Sequence, residues 1–393
     1  MIEYALRMKV LLERPEPQTE SGAVAESELR CQDWHNDFQH QKSANMAADL
    51  LRNLPKDAPA KAKPELQYAD VSVAPRSKSR AKALTIDQVA VTATAKEFAG
   101  IYRNKQYHAP DFPAVLDRAS EANVKKVMLT GMSLSDAQFN ADIARSRPDQ
   151  CSITVGVHPY HAQEPYANGS DGSEYFSAMA KTIADLQAET PVLVSAFGEL
   201  GLDYDHLEWA SKDVQIRCFK DQLELLVKEK YDLPLFLHCR ASFDDFVAVI
   251  EPYLAQLPRR GLVHSFVGSS TQMMKLTDMC FDVSVNGFSF KDRESLEMVA
   301  AVPLERLQLE TDAPWGIIQP SSEAAKNYLL NAAPLPVSKK KDRFQTGMMV
   351  KERNESCAMS QVAFVVAGVK GLGVDEVAQA AWQNSTAMFR LDS

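Results

Sequence analysis

The stretch "VSAFGELGLDYD" (residues 194–205) begins as a buried strand and ends in a run of carboxylates and glycines. Val194 to Phe197 are apolar or small, and then Glu199 arrives on the last steps of the strand, with Asp203 and Asp205 behind it. A carboxylate driven to a buried strand end is costly unless it is paired, protonated or bound to a metal. What Glu199 meets there depends on what the neighbouring strands bring to the same place.

Similar segments recur along the chain. "KKVMLTG" ends at Gly131, "SITVGVHP" at Pro159, "LPLFLHCR" at Arg240, "GLVHSF" at Phe266, "FDVSVNG" at Gly287 and "LQLETDAP" at Pro314. Between them lie amphipathic stretches such as "KDVQIRCFKDQLELLVKEK", where Val214, Phe219, Leu223 and Leu226 recur at helical spacing. Near-continuous apolar strands alternating with helices imply parallel βα units. Seven such strands, plus an upstream candidate in either "LQYADVSV" or "TIDQVAV", predict an α/β fold of the TIM type, a closed (β/α)8 barrel. No GxGxxG follows any strand, which argues against a dinucleotide-binding sheet.

In such a barrel the C-terminal strand ends converge on one rim, where active sites sit. His158 follows the third strand, Glu199 the fourth, His238 closes the fifth, and His264 lies on the sixth. Asn286 closes the seventh and Asp312 follows the eighth. Singly, a strand-end histidine is more often structural than a ligand, and an Asp before Ala-Pro can simply cap a helix. Jointly, His and carboxylate groups from separate strands are the donors a divalent cation takes. A two-metal site can both activate water and stabilise a leaving oxygen, as phosphodiester hydrolysis requires.

The whole chain constrains partners. Its 393 residues carry 45 % hydrophobic residues, enough for a sizeable core, and a formal net charge of −9. A generally basic face for nucleic acid is therefore absent, and a polyanionic substrate needs a local positive centre. The six cysteines are scattered without CxxC spacing, a pattern of reduced thiols. Charged residues interrupt the first apolar run, and no stretch approaches a membrane span, so a soluble cytoplasmic or nuclear protein without membrane attachment is expected. Residues 1–64, rich in Pro, Ala, Glu and Lys, read as a mobile tail ahead of a barrel domain at 65–393.

"GELGLDYD", "LFLHCR", "VHSF" and "LETDAPW" resemble, in order and spacing, the signature blocks of the TatD family of metal-dependent deoxyribonucleases. "TVGVHP", "VMLTGMSLSD" and "KERNES" match further blocks, and "FAGIYRNKQYHAPD" resembles the eukaryotic branch. The resemblance implies an amidohydrolase-like barrel that hydrolyses DNA, often as a 3′ to 5′ exonuclease. Its cofactor would be Mg²⁺ or Mn²⁺, with Zn²⁺ also compatible, as one or two ions. It implies metal ligands at Glu199, His238, His264 and Asp312, with Asp312 also orienting the attacking water. His158 would contact the scissile phosphate or a second metal. Asp203, Arg240, Arg353 and Asn354 are the substrate-binding candidates, although Arg240 can equally neutralise an acidic site. No obligate protein partner is implied. Cys239 reads as an ordinary buried thiol rather than a nucleophile. Trp315 suits a rim seal slightly better than a base-stacking surface.

The first strand departs from the family pattern. Joining "YADVSV" (residues 68–73) directly to Thr92 restores the family spacing and makes residues 74–91 an insertion, with residues 70–73 as strand one. The other join, through residues 86–91, has better β-branched content but puts Gln88 where the family has an aspartate, one residue out of step. Two rival functions remain at this stage. One is a small-molecule amide or ester hydrolase on the same barrel, and the other is a non-catalytic relative with a disrupted first strand.

Overall fold

Strand β1 is Ile86–Val91, and all six of its residues are buried. This corrects the expected first strand: residues 86–91 belong to the barrel and not to an insertion. The computed structural model describes residues 86–391, so the expected tail at 1–64 and the segment 70–73 lie outside the described residues. Burial of Ile86, Val89 and Val91 favours the later segment. Its pairing with the next strand carries two register shifts, between Ile86 and Asp87 and between Gln88 and Val91. A bulge of this kind re-aims side chains without abandoning the strand.

The eight-stranded sheet runs in strict chain order. After β1 come β2 (Val124–Leu129), β3 (Cys151–Val155), β4 (Val194–Asp203), β5 (Leu235–Arg240), β6 (Gly261–Val263), β7 (Asp282–Val285) and β8 (Leu307–Leu309). All neighbouring pairs are parallel. A bridge between Val91 and Ala313 joins the first strand to the segment after the last, so the sheet closes on itself as a TIM-type barrel. Helices α1 (Phe112–Glu121), α2 (Leu134–Ser146), α3 (Ser173–Gln187), α4 (Lys212–Glu229), α5 (Phe243–Ile250), α6 (Ser270–Asp278) and α7 (Arg293–Ala301) follow β1 to β7 in turn. The pair α8 (Met359–Lys370) and α9 (Val374–Phe389) follows β8. Their apolar faces form one large core with the strands, for example Phe219 and Leu223 of α4 against the barrel wall. Among the described residues no single helix is long and apolar enough to cross a membrane.

Candidate metal centre

The geometry around Glu199 begins with two glycines. Gly198 (φ 151°) and Gly201 (φ 147°) pair with Phe236 and His238 of β5, and a Cβ on either would collide with the carbonyl of its partner. Only glycine tolerates both that φ and that approach. The register slips between Gly198 and Leu200, and this irregularity carries Glu199 beside His238. The "GELG" motif is thus a device for seating a carboxylate tightly against the adjacent strand.

Glu199 Oε1 is the focus of three imidazoles. It lies 2.7 Å from His238 Nδ1, 2.5 Å from His264 Nε2 and 3.3 Å from His158 Nε2. The rings also face one another, with His238 Nδ1 3.4 Å from both His158 Nε2 and His264 Nε2. Other carboxylates face the outer nitrogens of two of these rings, one within hydrogen-bond distance and one beyond it. His238 Nε2 is 3.1 Å from Asp203 Oδ2, which also accepts from Tyr160 OH at 3.1 Å. His264 Nδ1 faces Glu310 Oε1 across 3.7 Å. A carboxylate behind a histidine fixes the ring's tautomer and raises its basicity, the arrangement found behind metal ligands. Glu310 went unassigned at the sequence level, although "LETDAP" contains it. A second acid two residues before Asp312 was the available signal.

Asp312 sits in the left-handed region (φ 55°), an uncommon conformation for Asp that neighbouring structure must hold. Its Oδ2 is 3.4 Å from Ser265 Oγ. Asn286 Nδ2 donates both to that Ser265 oxygen, at 2.8 Å, and to Glu310 Oε1, at 2.9 Å. Glu199, the three histidines, Asp203, Ser265 and Asp312 line one cavity of about 370 Å³ together with Thr92, Arg240, Phe288 and Trp315, with Asn286 and Glu310 behind that lining.

The electrostatics ask for positive charge at the centre. Burial pushes the Glu199 carboxyl up, but His264, His158 and His238 overcome it and hold it well below the usual range. Burial disfavours charge on His264, yet Glu199 and Glu310 keep it protonated well above its ordinary value. Burial pushes Asp312 up to about 7, with the negative charges of Glu310 and Glu199 adding to the rise. A cavity that recruits a proton onto one histidine and onto one carboxyl has donors suited to a divalent cation. His158, Glu199 and His238 offer ligand atoms that all lie within 4.8 Å of one another. His158 is the weakest donor of the three. Its Nδ1 accepts the Tyr160 N–H at 3.1 Å, so the neutral ring carries its proton on Nε2, the atom that faces Glu199. Burial drives its pKa down to about 4 and keeps the ring neutral.

Arg240 lies in the cavity lining and donates to Asp205 at 3.0 Å. Arg353 and Asn354 do not line the cavity, which corrects their expected place among the substrate contacts. Arg353 donates to both oxygens of Asp111, at 2.6 and 2.7 Å, and to Glu355 at 2.8 Å. Arg118 closes the other side of Glu355 at 2.7 and 3.0 Å. Asn354 donates to Thr311 O at 2.9 Å, one residue from Asp312. Gln88 is the other brace, its Oε1 accepting the Thr311 N–H at 3.0 Å, so the position where a first-strand carboxylate was sought holds backbone instead. Burial pushes the Cys239 thiol up to about 12, in keeping with an inert thiol. Trp315, 41 % exposed, stands open at the cavity mouth and does not seal the rim.

A closed eight-stranded parallel barrel with histidines and carboxylates gathered at the C-terminal rim defines a hydrolase barrel of the amidohydrolase-like class. Within that class, residues 100–390 match the family model described as TatD related DNase, and the chain belongs to that family. It is 40 % identical over 305 residues to a Schizosaccharomyces pombe protein named Deoxyribonuclease Tat-D, covering 77 % of this chain and 95 % of that one. An Erwinia amylovora protein named 3′-5′ ssDNA/RNA exonuclease TatD is 30 % identical over 295 residues, covering 74 % of this chain and 98 % of its own. Among solved structures, an uncharacterized amidohydrolase from Saccharomyces cerevisiae superposes with a TM-score of 0.73 at 29 % identity. That match covers 78 % of this chain and all of the other.

Proposed function

We propose that this cavity hydrolyses phosphodiester bonds of DNA with a divalent cation, Mg²⁺ or Mn²⁺, removing nucleotides from a 3′ end. The observation that carries the proposal is one buried carboxylate oxygen, Glu199 Oε1, facing three imidazoles in a cavity that also holds Asp312. Relatives named as deoxyribonucleases and as a 3′-5′ exonuclease support the choice of substrate.

Glu199, His238, His264 and Asp312 would hold the cation, which when bound polarises the phosphoryl oxygens and lowers the pKa of water. Asp203 and Glu310 orient the two ligand rings from behind. Asp312, with Ser265 and Asn286 behind it, orients the attacking water and takes its proton. His158, neutral and protonated on Nε2, donates a hydrogen bond to a non-bridging phosphate oxygen. Arg240 supplies fixed positive charge beside it. Among the described residues no lysine lines the cavity, which weighs against a small-molecule hydrolase built around a metal-bridging lysine.

The test is incubation of the purified protein with end-labelled single- and double-stranded DNA in Mg²⁺, Mn²⁺ or EDTA. Metal-dependent shortening from the 3′ end, abolished by EDTA, is expected. DNA left intact under every condition would sink the proposal.

A further inference from the structure

Thr92 and Ala313 are joined across the seam that closes the barrel, so the loops that follow β1 and β8 lie side by side on the rim. The first carries a hairpin, Ile101–Tyr102 against Lys105–Gln106. Its two turn residues, Arg103 and Asn104, both have positive φ, and Lys96 Nζ donates to Asn104 Oδ1 at 3.3 Å. Two positive-φ residues match the twist of a two-residue hairpin and hold Arg103 at a defined tip. The second loop pairs Ser338–Lys339 with Met349–Val350 and turns through Lys341–Arg343.

Aromatic rings lock the two loops together. Phe344 stacks on His108 at 4.2 Å, and Lys341 Nζ lies 4.9 Å from the Tyr102 ring and 5.4 Å from that of Tyr107. Cations crowd this joint. Residues 96–107 contain Lys96, Arg103 and Lys105 against Glu97. Residues 338–352 contain Lys339, Lys340, Lys341, Arg343 and Lys351 against Asp342 and Glu352. Lys96, Arg103, Lys105, Lys340, Arg343 and Lys351 are exposed. The chain as a whole is acidic, with 43 Lys and Arg against 52 Asp and Glu. Across the cavity the loop after β4 has the opposite character, with Asp205 and Glu208 exposed.

We propose that the joined β1 and β8 loops form a basic track for the phosphates of a single nucleic-acid strand, beyond the nucleotide being cleaved. The proposal rests on the nuclease function proposed above and adds the direction in which the substrate leaves the cavity. The track begins at the rim because both loops spring from cavity-lining segments, at Thr92 and at Asp312 and Trp315. Exposed cationic side chains on a surface braced by half-buried aromatic rings suit a flexible, unpaired strand, whose binding is electrostatic and salt-dependent. The asymmetry of the rim gives the strand one exit, over the basic loops and away from Asp205 and Glu208.

The test uses the full chain with Lys105→Glu, Lys340→Glu and Arg343→Glu combined, all three exposed and outside the cavity. A control combines Lys125→Glu, Lys220→Glu and Lys228→Glu, which changes net charge equally at exposed positions on β2 and α4. kcat/KM is measured on a single-stranded 20-mer and on a dinucleotide, across salt concentrations. The track variant is expected to lose at least about tenfold on the 20-mer, through KM. Its slope of log(kcat/KM) against log[salt] falls by about 2, roughly 0.7 for each phosphate that is no longer neutralised. The dinucleotide rate and the control variant stay within about twofold of wild type. Equal loss on both substrates, no loss on the 20-mer, or the same loss in the control overturns the track alone. A wild-type protein that cuts neither substrate in Mg²⁺ or Mn²⁺ overturns the nuclease proposal and the track with it.

Discussion

Two buried charge clusters sit near the same rim and behave in opposite ways. In the seam cluster, two cations meet two anions: Arg118 and Arg353 bracket Glu355, and Asp111 completes the set with bonds of 2.6 to 3.0 Å. Every charge there has a partner of opposite sign, so the network is closed and serves as a brace. Around the cavity, Glu199, Asp203, Glu310 and Asp312 face three imidazoles, and the extra protons held on His264 and Asp312 offset only part of the negative charge. That cluster is open, and its deficit of positive charge is what a cation or a substrate can exploit. Both clusters are built from residues in equally distinctive sequence blocks. Whether buried charge serves scaffold or chemistry is decided by the balance of its partners.

The sharpest way to break this comparison is to open the closed cluster. Arg353→Met leaves Asp111 and Glu355 buried without their main cation and should cost about 3–5 kcal/mol of stability. Denaturant titration reads this directly. A midpoint close to wild type would show that the seam is no brace.

The open cluster should respond in activity while the fold stays intact. Asp312→Asn keeps volume and loses charge, and a loss of roughly 10²–10³-fold in kcat is expected with little change in melting temperature. Wild-type cleavage of DNA by this variant would remove Asp312 from the chemistry. One shell further out, Asp203→Asn releases His238 Nε2 from its carboxylate. A loss of roughly 10–100-fold in metal affinity is expected, restored at high Mg²⁺ or Mn²⁺. Activity measured across a metal titration separates this from a simple loss of rate, since a defect that saturating metal leaves unchanged would contradict the positioning role.

A third buried acid tests the same logic by pH. Asp282, at the start of β7, is 3.0 Å from Gln308 Nε2 and 3.3 Å from Arg306 Nη1, and burial still pushes it up to about 6. Between about pH 4 and pH 6 the folded state retains a proton that the unfolded state has released. Its contribution to stability is therefore greatest in acid and declines as pH rises to 6. Asp282→Asn should remove that decline, so the variant gains on wild type across this window and holds its gain above pH 6. The ceiling is about 3 kcal/mol, and weaker bonding by the amide brings the net gain to the order of 1 kcal/mol. Parallel stability curves for the two proteins from pH 4 to 8 would rule the effect out.

The strand pattern alone made the barrel legible, because apolar strands alternating with amphipathic helices have few other ways to bury their faces. It also marked His158, Glu199, His238, His264, Asn286 and Asp312 as rim residues, since the strand ends of a parallel barrel share one rim whatever the loops do, while the choice of Glu199, His238, His264 and Asp312 as metal ligands came from the family resemblance. The choice of first strand was not legible, because residues 70–73 and 86–91 both carry strand-forming composition. Only burial of all six residues from Ile86 to Val91, with a register slip that composition does not encode, decided it. The role of Arg353 was hidden for a related reason. Its partner Asp111 lies 242 residues away along the chain, and the Arg118–Glu355 pair is 237 residues apart. The seat of Glu310 behind His264 was likewise settled by a contact between strand ends, and the proton on His158 Nε2 by a local turn that aims the Tyr160 N–H at Nδ1. Periodicity records which face of an element is buried, so sequence determined the architecture and the rim that bears the donors. Which atom meets which is set by strand register and loop closure, and only the folded chain specifies those.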